Sequence, residues 1–288
     1  INMKLSYKAY AKVNLGLDVL RKREDGYHDV KMIMQTVNLY DVIEIEASDD
    51  NLISIVTEND SIPVNEDNLI YKACKLLMDE FNINRGVRIT LIKNIPVAAG
   101  MAGGSTDAAY TLIGINELFK LGLSKDELMK RGVKIGADVP YCIMGGTALS
   151  EGIGEILSPV SGMPNCNILI AKPPIDVSTK FVYENLHANE LKRHPDIDGL
   201  KSYIEASDIY SIANKMENVL ETVTVKEYPI IEEIKTYMKQ NGALNSIMSG
   251  SGPTVFGLFD NYEIAKKAYD GLLARNITTQ VYLTDLVL

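Results

Sequence analysis

Residues 96–107 read Pro-Val-Ala-Ala-Gly-Met-Ala-Gly-Gly-Ser-Thr-Asp, a stretch dominated by small side chains. A strand-like run at 87–92 precedes it, and a helical pattern over 107–119 follows it. Small residues let the backbone approach a bulky anion, so that its amides can point at phosphate oxygens. A helix beginning near Ser105 would add the positive end of its dipole. We therefore predict that residues 96–106 bind phosphate.

Two other interpretations of this segment are a flexible surface linker and a tightly packed turn between strand and helix. A linker would not need so many small residues between strong strand and helix patterns. The hydroxyls of Ser105 and Thr106 could reach phosphate oxygens or a magnesium ion. The segment lacks the Walker pattern G-x-x-x-x-G-K-[ST] and the Rossmann pattern G-x-G-x-x-G, so two familiar nucleotide-binding folds are excluded.

The composition indicates a globular chain with a restricted choice of partners. Its 288 residues are 46% hydrophobic, which is enough for an ordinary core and favours two domains over one. A net charge of −9 opposes broad attraction to nucleic acid or to anionic membranes. An anionic substrate must therefore be held by a local site.

The cysteines and the N-terminus favour a cytoplasmic protein. The chain has three cysteines, Cys74, Cys142 and Cys166. An odd number leaves one unpaired, and buried reduced thiols are the simplest interpretation. No apolar run approaches the ~20 residues of a membrane span, and no export signal is visible. Ile1 and Asn2 precede Met3, which we interpret as the initiator, and they are left out of the fold prediction.

The periodicity of apolar residues predicts an α+β fold with helices on mixed sheets. Strands are predicted at 7–20, 42–47, 52–56, 87–92, 167–171, 254–259 and 278–283. Helices are predicted at 67–81, with Asp67 as its cap, and at 107–119, 209–220, 229–240 and 262–274. Ser124 and Glu127 form a capping-box pattern for a further helix. A stretch rich in Pro, Gly and Ser around 157–165 favours a boundary between domains 3–160 and 161–288.

Three motifs carry a resemblance to a known family. Residues 96–106 resemble the P-x-x-x-G-[LM]-[GA]-[GS]-[GS]-[ST] motif of the kinases named after galactokinase, homoserine kinase, mevalonate kinase and phosphomevalonate kinase (GHMP kinases). Ala11-Lys12-Val13-Asn14-Leu15 and Ser249-Gly250-Ser251-Gly252-Pro253-Thr254-Val255-Phe256-Gly257 resemble two further motifs of these kinases, in the same order. Each motif alone is weak, and the three in order are specific.

Three shorter segments narrow the resemblance. Arg23-Glu24-Asp25-Gly26-Tyr27-His28, Asp67-Asn68-Leu69-Ile70 and Gly136-Ala137-Asp138-Val139-Pro140 resemble the 4-diphosphocytidyl-2-C-methyl-D-erythritol kinase family. This resemblance implies ATP-dependent phosphorylation of the 2-hydroxyl of a cytidyl diphosphate substrate, in the non-mevalonate route to isoprenoid precursors. It also implies an N-terminal domain like ribosomal protein S5 domain 2 and a ferredoxin-like C-terminal domain.

The resemblance assigns the chemistry to two residues. Asp138 is the implied catalytic carboxylate, and a helix cap ahead of Pro140 is the alternative. Lys12 is the implied cation beside the substrate hydroxyl or the γ-phosphate, although a lysine in a strand is more often solvated. Phosphoryl transfer needs such a base and such a positive charge.

The remaining implied contacts fall into a substrate set and an ATP set. Asn14 shares a strand face with Lys12, since the two are two residues apart. The implied substrate residues are Asn14, Tyr27, His28, Ile153 and Tyr183. A hairpin that packs on its neighbour is the alternative for Tyr27 and His28. The implied ATP residues are Asn68 and Lys93 near adenosine and, in the loop, Pro96, Val97, Ala98, Ala99, Gly100, Met101, Ala102, Gly103, Gly104, Ser105 and Thr106.

Further sequence features concern magnesium, the loop backbone, the third motif and two histidines. Magnesium is implied with ATP, but no residue matches an acidic ligand for it. Ala98, Ala99 and Ala102 stand where relatives often have glycine, and a methyl group is tolerated there if φ is negative. Residues 249–257 are either a lid or a glycine-rich turn before a buried strand. His187 and His194 are expected to face solvent.

Two rival functions remain. One is another GHMP kinase, such as mevalonate or homoserine kinase, which would lack the Gly26-Tyr27-His28 element. The other is a nucleic-acid-binding module, which the acidic charge opposes. The predicted partners are ATP and a small cytidyl substrate, with no nucleic acid or membrane, and the chain is expected to be a monomer or homodimer.

Overall fold

The structure is a computed structural model that describes residues 3–288, and the interpretation of Ile1 and Asn2 lies outside the described residues. Strands and helices are mixed along the chain, which confirms the α+β prediction. Among residues 3–288, none of the helices combines the length and the apolar character that crossing a bilayer requires.

The elements alternate without a simple repeat. The strands are β1 (Lys4–Lys22), β2 (His28–Ser48), β3 (Ile53–Thr57), β4 (Gly86–Ile92), β5 (Thr147–Glu151), β6 (Ile156–Pro159), β7 (Asn167–Lys172), β8 (Glu217–Asn218), β9 (Asn245–Met248), β10 (Val255–Phe259) and β11 (Gln280–Asp285). The helices are α1 (Leu69–Glu80), α2 (Gly103–Leu118), α3 (Lys125–Gly132), α4 (Val139–Met144), α5 (Thr179–Asn185), α6 (Ile197–Glu205), α7 (Ile209–Lys215), α8 (Glu221–Glu227), α9 (Ile230–Gln240) and α10 (Tyr262–Ala274), with a 3₁₀ turn at Ala188–Glu190.

The chain forms two compact units that interleave in sequence. Unit 1 holds residues 3–11, Leu39–Val97 and Ala102–Gly145, and unit 2 holds Lys12–Asn38, Ala98–Met101 and Gly146–Leu288. These units follow spatial proximity, which is a different division from a boundary between folding domains. The boundary between residues 160 and 161 therefore stays a prediction.

Unit 1 packs helices on a sheet. In this unit β4 pairs antiparallel with β2 and parallel with β3, and α1 packs against α2. Ile43 and Ile45 of β2 are fully buried while Glu44 and Glu46 are partly exposed, the period of two expected for a strand with one buried face. Burial of each isoleucine side chain stabilises the folded state by roughly 1.5–3 kcal/mol relative to leaving it exposed. A β-carbon at Gly114 of α2 would lie 2.2 Å from Ile45 Cδ1, so a side chain there would displace Ile45.

Unit 2 contains an antiparallel sheet in the order β11-β7-β10-β9. Every residue of β10 is buried, because the strand lies between β7 and β9 and helix α9 packs against it. The buried residues of α10 are Ala265, Ala268 and Leu272, spaced three or four apart as an amphipathic helix requires. The same unit holds β5, which pairs antiparallel with β2 and β6.

Two local predictions need correction. The N-cap of α1 is Asn68 and not Asp67, because the extended backbone at Asn68 lets its side chain accept from the Ile70 N–H at 2.8 Å. The helix predicted at 209–220 ends at Lys215, because the backbone of Glu217–Asn218 pairs in parallel with β1. The capping box of Ser124 and Glu127 is confirmed.

Candidate active site

The predicted phosphate-binding loop, residues 96–106, ends in an uncapped helix. Helix α2 begins at Gly103, and its N-cap Ala102 provides no side-chain hydrogen bond. The Thr106 N–H donates to the Ala102 carbonyl at 2.9 Å, which closes the first turn. The amides of Gly103, Gly104 and Ser105 precede that bond, and such groups at the start of a helix can bind an anion. The helix starts two residues before the predicted position near Ser105.

Two alanines of the loop adopt a left-handed backbone. Ala98 has φ 51° and Ala102 has φ 57°, so the negative φ at which a methyl group is readily tolerated occurs at neither position. This conformation costs an L-residue roughly 1–2 kcal/mol. Gly100 has φ 78°, and a β-carbon there would lie 2.4 Å from the Ser249 carbonyl oxygen. Only glycine fits at that position.

The unit 2 part of the loop, Ala98–Met101, is held by residues of the third motif. The Ser249 hydroxyl donates to the Gly100 carbonyl at 3.0 Å, and the Thr254 N–H donates to the Ala99 carbonyl at 3.3 Å. Ser249 and Thr254 are fully buried, and β10 begins at the next residue. The turn interpretation of residues 249–257 therefore fits the structure better than a lid.

Lys12 and Asn14 lie on one face of β1, as their spacing predicts. The Lys12 Nζ donates to Asn14 Oδ1 at 2.8 Å and to the Gly100 carbonyl at 3.2 Å. Lys12 is 5% exposed and Asn14 1% exposed, so the solvated-lysine alternative is wrong. Asn14 Oδ1 also accepts from the Gly250 N–H at 3.0 Å. Both acceptors of the Lys12 ammonium are neutral oxygens.

Asp138 occupies the N-cap position of α4 in unit 1. Its side chain makes no capping hydrogen bond, so the cap alternative does not account for the carboxylate. A β-carbon built at nearby Gly136 would lie 3.9 Å from Ser105 Oγ, which places this segment beside the start of α2. Asp138 is half-buried.

Lys93 lies in a buried ion-pair network of unit 1. Its Nζ is 2.5 Å from Asp41 Oδ2 and 3.0 Å from Asp107 Oδ2, and all three side chains are at most 6% exposed. Burial lowers the pKa of Lys93, but attraction to Asp107 and Asp41 outweighs it and raises that pKa. Burial also raises the pKa of Asp107 well above its usual range, against the opposing charge of Lys93.

Sequence reasoning missed both carboxylates of this network. The position of Asp107 directly after Ser105 and Thr106 was the available signal, since it follows the loop. Asp41 gave none, because an acidic residue next to a strand-like run is usually solvated.

The two residues predicted near adenosine separate in the structure. Lys93 lines a pocket of about 850 Å³ between the ends of β3 and β4, together with Val56, Ile92 and Asn94. Asn68 does not line it, because its side chain caps α1 and donates to the Pro63 carbonyl at 2.8 Å.

Four predicted substrate residues surround one pocket of unit 2. Tyr27, His28, Ile153 and Tyr183 line a cavity of about 440 Å³. The His28 and Tyr183 rings are 5.0 Å apart, and Tyr27 is 60% exposed. Burial and the positive charge of Lys22 lower the pKa of His28, which keeps its imidazole neutral. The fifth predicted residue, Asn14, does not line this pocket.

The other histidines differ from one another. His187 is exposed, as expected. His194 is 38% exposed, and its Nδ1 lies 2.8 Å from Oδ1 of the buried Asp18, a partner that spacing could not reveal.

The oxygen donors at the start of α2 fit magnesium only as an ion shared with phosphate. Within residues 3–288, no cluster of three or more His, Cys, Asp or Glu side chains could hold a metal. Thr106 Oγ1 and Asp107 Oδ1 are buried without a hydrogen-bond partner. Magnesium commonly takes one or two protein oxygens together with substrate phosphates. The donor set therefore suits an ion that binds with ATP.

Comparisons with known proteins agree with these features. Family models described as GHMP kinases N terminal domain and GHMP kinases C terminal match residues 68–146 and 200–277. A 4-diphosphocytidyl-2-C-methyl-D-erythritol kinase of Lachnoclostridium phytofermentans is 55% identical over 97% of this chain and 96% of its own length. The protein of the same name from Lachnospira eligens is 53% identical over 96% of each.

Solved structures show the same fold. A crystal structure of 4-(cytidine 5'-diphospho)-2C-methyl-D-erythritol kinase matches with a TM-score of 0.83 and 29% identity, covering 98% of this chain and 99% of the other. A mevalonate kinase from L. major matches with a TM-score of 0.76 at 16% identity, over 99% of this chain and 96% of the other, which shows the fold alone. The GHMP kinase fold predicted from the motifs is confirmed. The chain belongs to the GHMP kinases and, within them, to the 4-diphosphocytidyl-2-C-methyl-D-erythritol kinase family.

Proposed function

We propose that the protein transfers the γ-phosphoryl group of ATP to the 2-hydroxyl of 4-diphosphocytidyl-2-C-methyl-D-erythritol, in the non-mevalonate route to isoprenoid precursors. The observation that carries this proposal is the pocket of about 440 Å³ in unit 2, where residues far apart in sequence meet. Tyr27 and Tyr183 offer ring faces to cytosine, and the neutral His28 imidazole can hydrogen-bond to the base. Ile153 adds an apolar wall.

The ATP phosphates bind at residues 96–106. The first amides of α2 have no side-chain cap, so they are available to phosphate oxygens, and the glycines at 100 and 103 let the loop pack closely against Ser249 and Lys93. In this proposal adenosine binds near Lys93 and Asn68. Asn68 contributes by capping helix α1. Magnesium would be shared between the phosphates and the hydroxyl of Ser105 or Thr106, where it would neutralise phosphate charge.

Lys12 supplies positive charge to the transferring group. Its two hydrogen bonds go to neutral oxygens, so no carboxylate in those contacts cancels its charge. A preorganised ammonium stabilises the charge that develops on the γ-phosphate oxygens. Asn14 fixes that ammonium and contacts the substrate in this proposal.

Asp138 accepts the proton of the 2-hydroxyl as that oxygen attacks the γ-phosphorus. The bond between the hydroxyl oxygen and phosphorus forms while the bond to the ADP oxygen breaks, and the proton ends on the carboxylate. The absence of a capping hydrogen bond leaves the Asp138 carboxylate available for this role.

The buried cysteines support a cytoplasmic location for the enzyme. All three cysteines are buried and free, which suits the reducing cytoplasm. We expect ATP and the cytidyl substrate as partners of a monomer or homodimer.

A turnover assay tests the proposal. ADP release is measured with the cytidyl substrate, mevalonate and homoserine at equal concentration, and we expect turnover of the cytidyl substrate alone. Turnover of either other alcohol at a comparable kcat/KM would assign the chain to another GHMP activity. A gel shift with RNA at low and high salt should show no binding, and a salt-dependent complex would favour the nucleic-acid alternative.

A further inference from the structure

We infer that Asp41 and Asp107 are positioning residues for ATP: through Lys93 they hold the start of α2 in its phosphate-binding conformation. This inference rests on the proposed function, since it concerns the nucleotide of that reaction. It changes the role of Lys93 from a ligand of the nucleotide to the centre of a support beneath the loop.

The network joins three segments of unit 1. Asp41 belongs to β2, Lys93 follows β4, and Asp107 lies in the first turns of α2. Asp41 uses both carboxylate oxygens: Oδ2 binds the Lys93 ammonium at 2.5 Å, and Oδ1 accepts from the Asn94 and Ile95 N–H groups at 2.6 and 2.8 Å. The chain leading into the loop is thereby fixed to the sheet.

The Lys93 ammonium lies directly against the first residue of α2. A β-carbon built at Gly103 would be 2.8 Å from Lys93 Nζ and 3.2 Å from Ile95 Cγ2. The same ammonium binds Asp107 Oδ2 at 3.0 Å, one helical turn further on. A displacement of Lys93 would therefore move both ends of the turn whose amides face the phosphates.

The charge balance separates this support from a direct phosphate contact. Two carboxylates surround one ammonium, and the Lys93 side chain is 6% exposed. A cation neutralised in this way adds little attraction for phosphate at a distance. A buried ion pair also contributes little net stability compared with apolar residues of the same size. What the network supplies is a fixed position for the start of α2.

The main test is Asp41→Asn. The amide oxygen can keep the two backbone hydrogen bonds, while its NH₂ group replaces the oxygen that binds Lys93. We expect the KM for ATP and the inhibition constant of ADP to rise about tenfold, on the scale of one charge-assisted hydrogen bond. The inhibition constant of adenosine and the KM of the cytidyl substrate should not change, because neither ligand contacts the loop through phosphate groups held by α2.

Asp79→Asn is the matched control. It removes a carboxylate from the exposed Lys75–Asp79 ion pair on α1 of the same unit, and all constants should stay at wild-type values. Thermal unfolding of each variant establishes that it is folded. If Asp41→Asn is recovered unfolded, Asp107→Asn decides the inference by its affinities for ADP and adenosine. Calorimetry without magnesium measures both, so that a lost magnesium donor, such as the unpartnered Asp107 Oδ1, is not mistaken for a lost support.

The outcomes separate this inference from the proposed function. A folded Asp41→Asn enzyme with an unchanged ratio of ADP to adenosine inhibition constants would overturn the positioning role. A parallel rise for ADP and adenosine would overturn it as well, because it indicates a general structural defect. Failure of the unaltered enzyme to phosphorylate the cytidyl substrate would refute the proposed function instead, and the ADP and adenosine constants could still be measured by calorimetry.

Discussion

Each unit has a buried lysine beside its own part of residues 96–106, and the two lysines differ in the charge of their surroundings. Lys93 of unit 1 lies between Asp41 and Asp107, and these carboxylates neutralise the positive charge of its ammonium. Lys12 of unit 2 binds the Gly100 carbonyl and Asn14 Oδ1, which are neutral. A compensated cation fixes structure, whereas a cation held by neutral dipoles keeps its field for a bound anion.

A buried lysine can therefore serve either structure or chemistry, depending on its partners. Lys12 can be removed without leaving an orphan, because Gly100 O retains the Ser249 hydroxyl and Asn14 Oδ1 retains the Gly250 N–H. Lys93 cannot, because its loss leaves two buried carboxylates facing each other. Changes at Lys12 should therefore appear in the rate, and changes at Lys93 in stability and ATP binding.

The largest expected effect is on phosphoryl transfer. Lys12→Met should lower the single-turnover rate by roughly 10²–10³ at saturating ligands, the scale of a lost electrostatic stabiliser. Asp138→Asn should lower it by about 10²–10⁴, the scale of general-base catalysis. The double variant should be little slower than either single variant if the two groups act as a unit. Near-normal transfer by Asp138→Asn would leave the carboxylate without a chemical role.

The next effect separates the lysines by stability. Lys93→Met should lower the free energy of unfolding by roughly 3–5 kcal/mol, because it strands two buried carboxylates. Lys12→Met should change it by about 1 kcal/mol or less, because both acceptors keep another donor. Urea unfolding of the two variants measures the contrast. Equal losses of unfolding free energy in the two variants would contradict the distinction between the ion-paired Lys93 and Lys12, which binds neutral oxygens.

A third prediction concerns a loss of affinity for one ligand only. Tyr27→Ala should weaken binding of the cytidyl substrate by roughly 1–3 kcal/mol, the scale of a base stacked on an aromatic ring. None of the pocket residues belongs to the loop 96–106, so the ATP affinity should be unaffected. Calorimetry with each ligand checks this split, and Tyr262→Ala, which removes another exposed tyrosine, serves as the control. Equal weakening of both ligands would favour the hairpin-packing alternative.

The same pocket should respond to acid. The pKa of His28 is lowered, so its ring stays neutral through the ordinary value of about 6.5 and becomes charged only below it. Substrate affinity should then fall on the acid side of that value by the equivalent of one hydrogen bond, roughly 0.5–1.5 kcal/mol. His28→Gln should remove this part of the pH dependence. A pH profile that is unchanged by the substitution would exclude a neutral imidazole contact.

The smallest effect compares the loop in the two units. Ala102→Gly in unit 1 and Ala98→Gly in unit 2 each relieve a left-handed alanine, which favours the variants by about 1–2 kcal/mol. The extra freedom of glycine in the unfolded chain offsets roughly 0.4–1 kcal/mol of that gain. Both variants should therefore unfold at equal or slightly higher urea concentration than the parent. A loss of stability in one alone would show that its methyl group packs.

Much of the fold was readable in advance because it depends on local rules. The Ser124–Glu127 capping box and the buried spacing of α10 follow from contacts a few residues apart, and both appear as predicted. Helix α7 ended early because β1 supplies backbone partners to Glu217–Asn218 from the far end of the chain. No local pattern contains that pairing.

Local sequence patterns encode the α+β class, the glycine-rich loop before α2, the shared face of Lys12 and Asn14 and the motifs that resemble the GHMP kinases. These depend on periodicity, small side chains and residue order. Long-range contacts establish that Lys93 is neutralised by Asp41 and Asp107 and that the Tyr183 ring lies against His28. Charge balance and packing arise from residues brought together across long sequence separations, and no spacing along the chain encodes those distances.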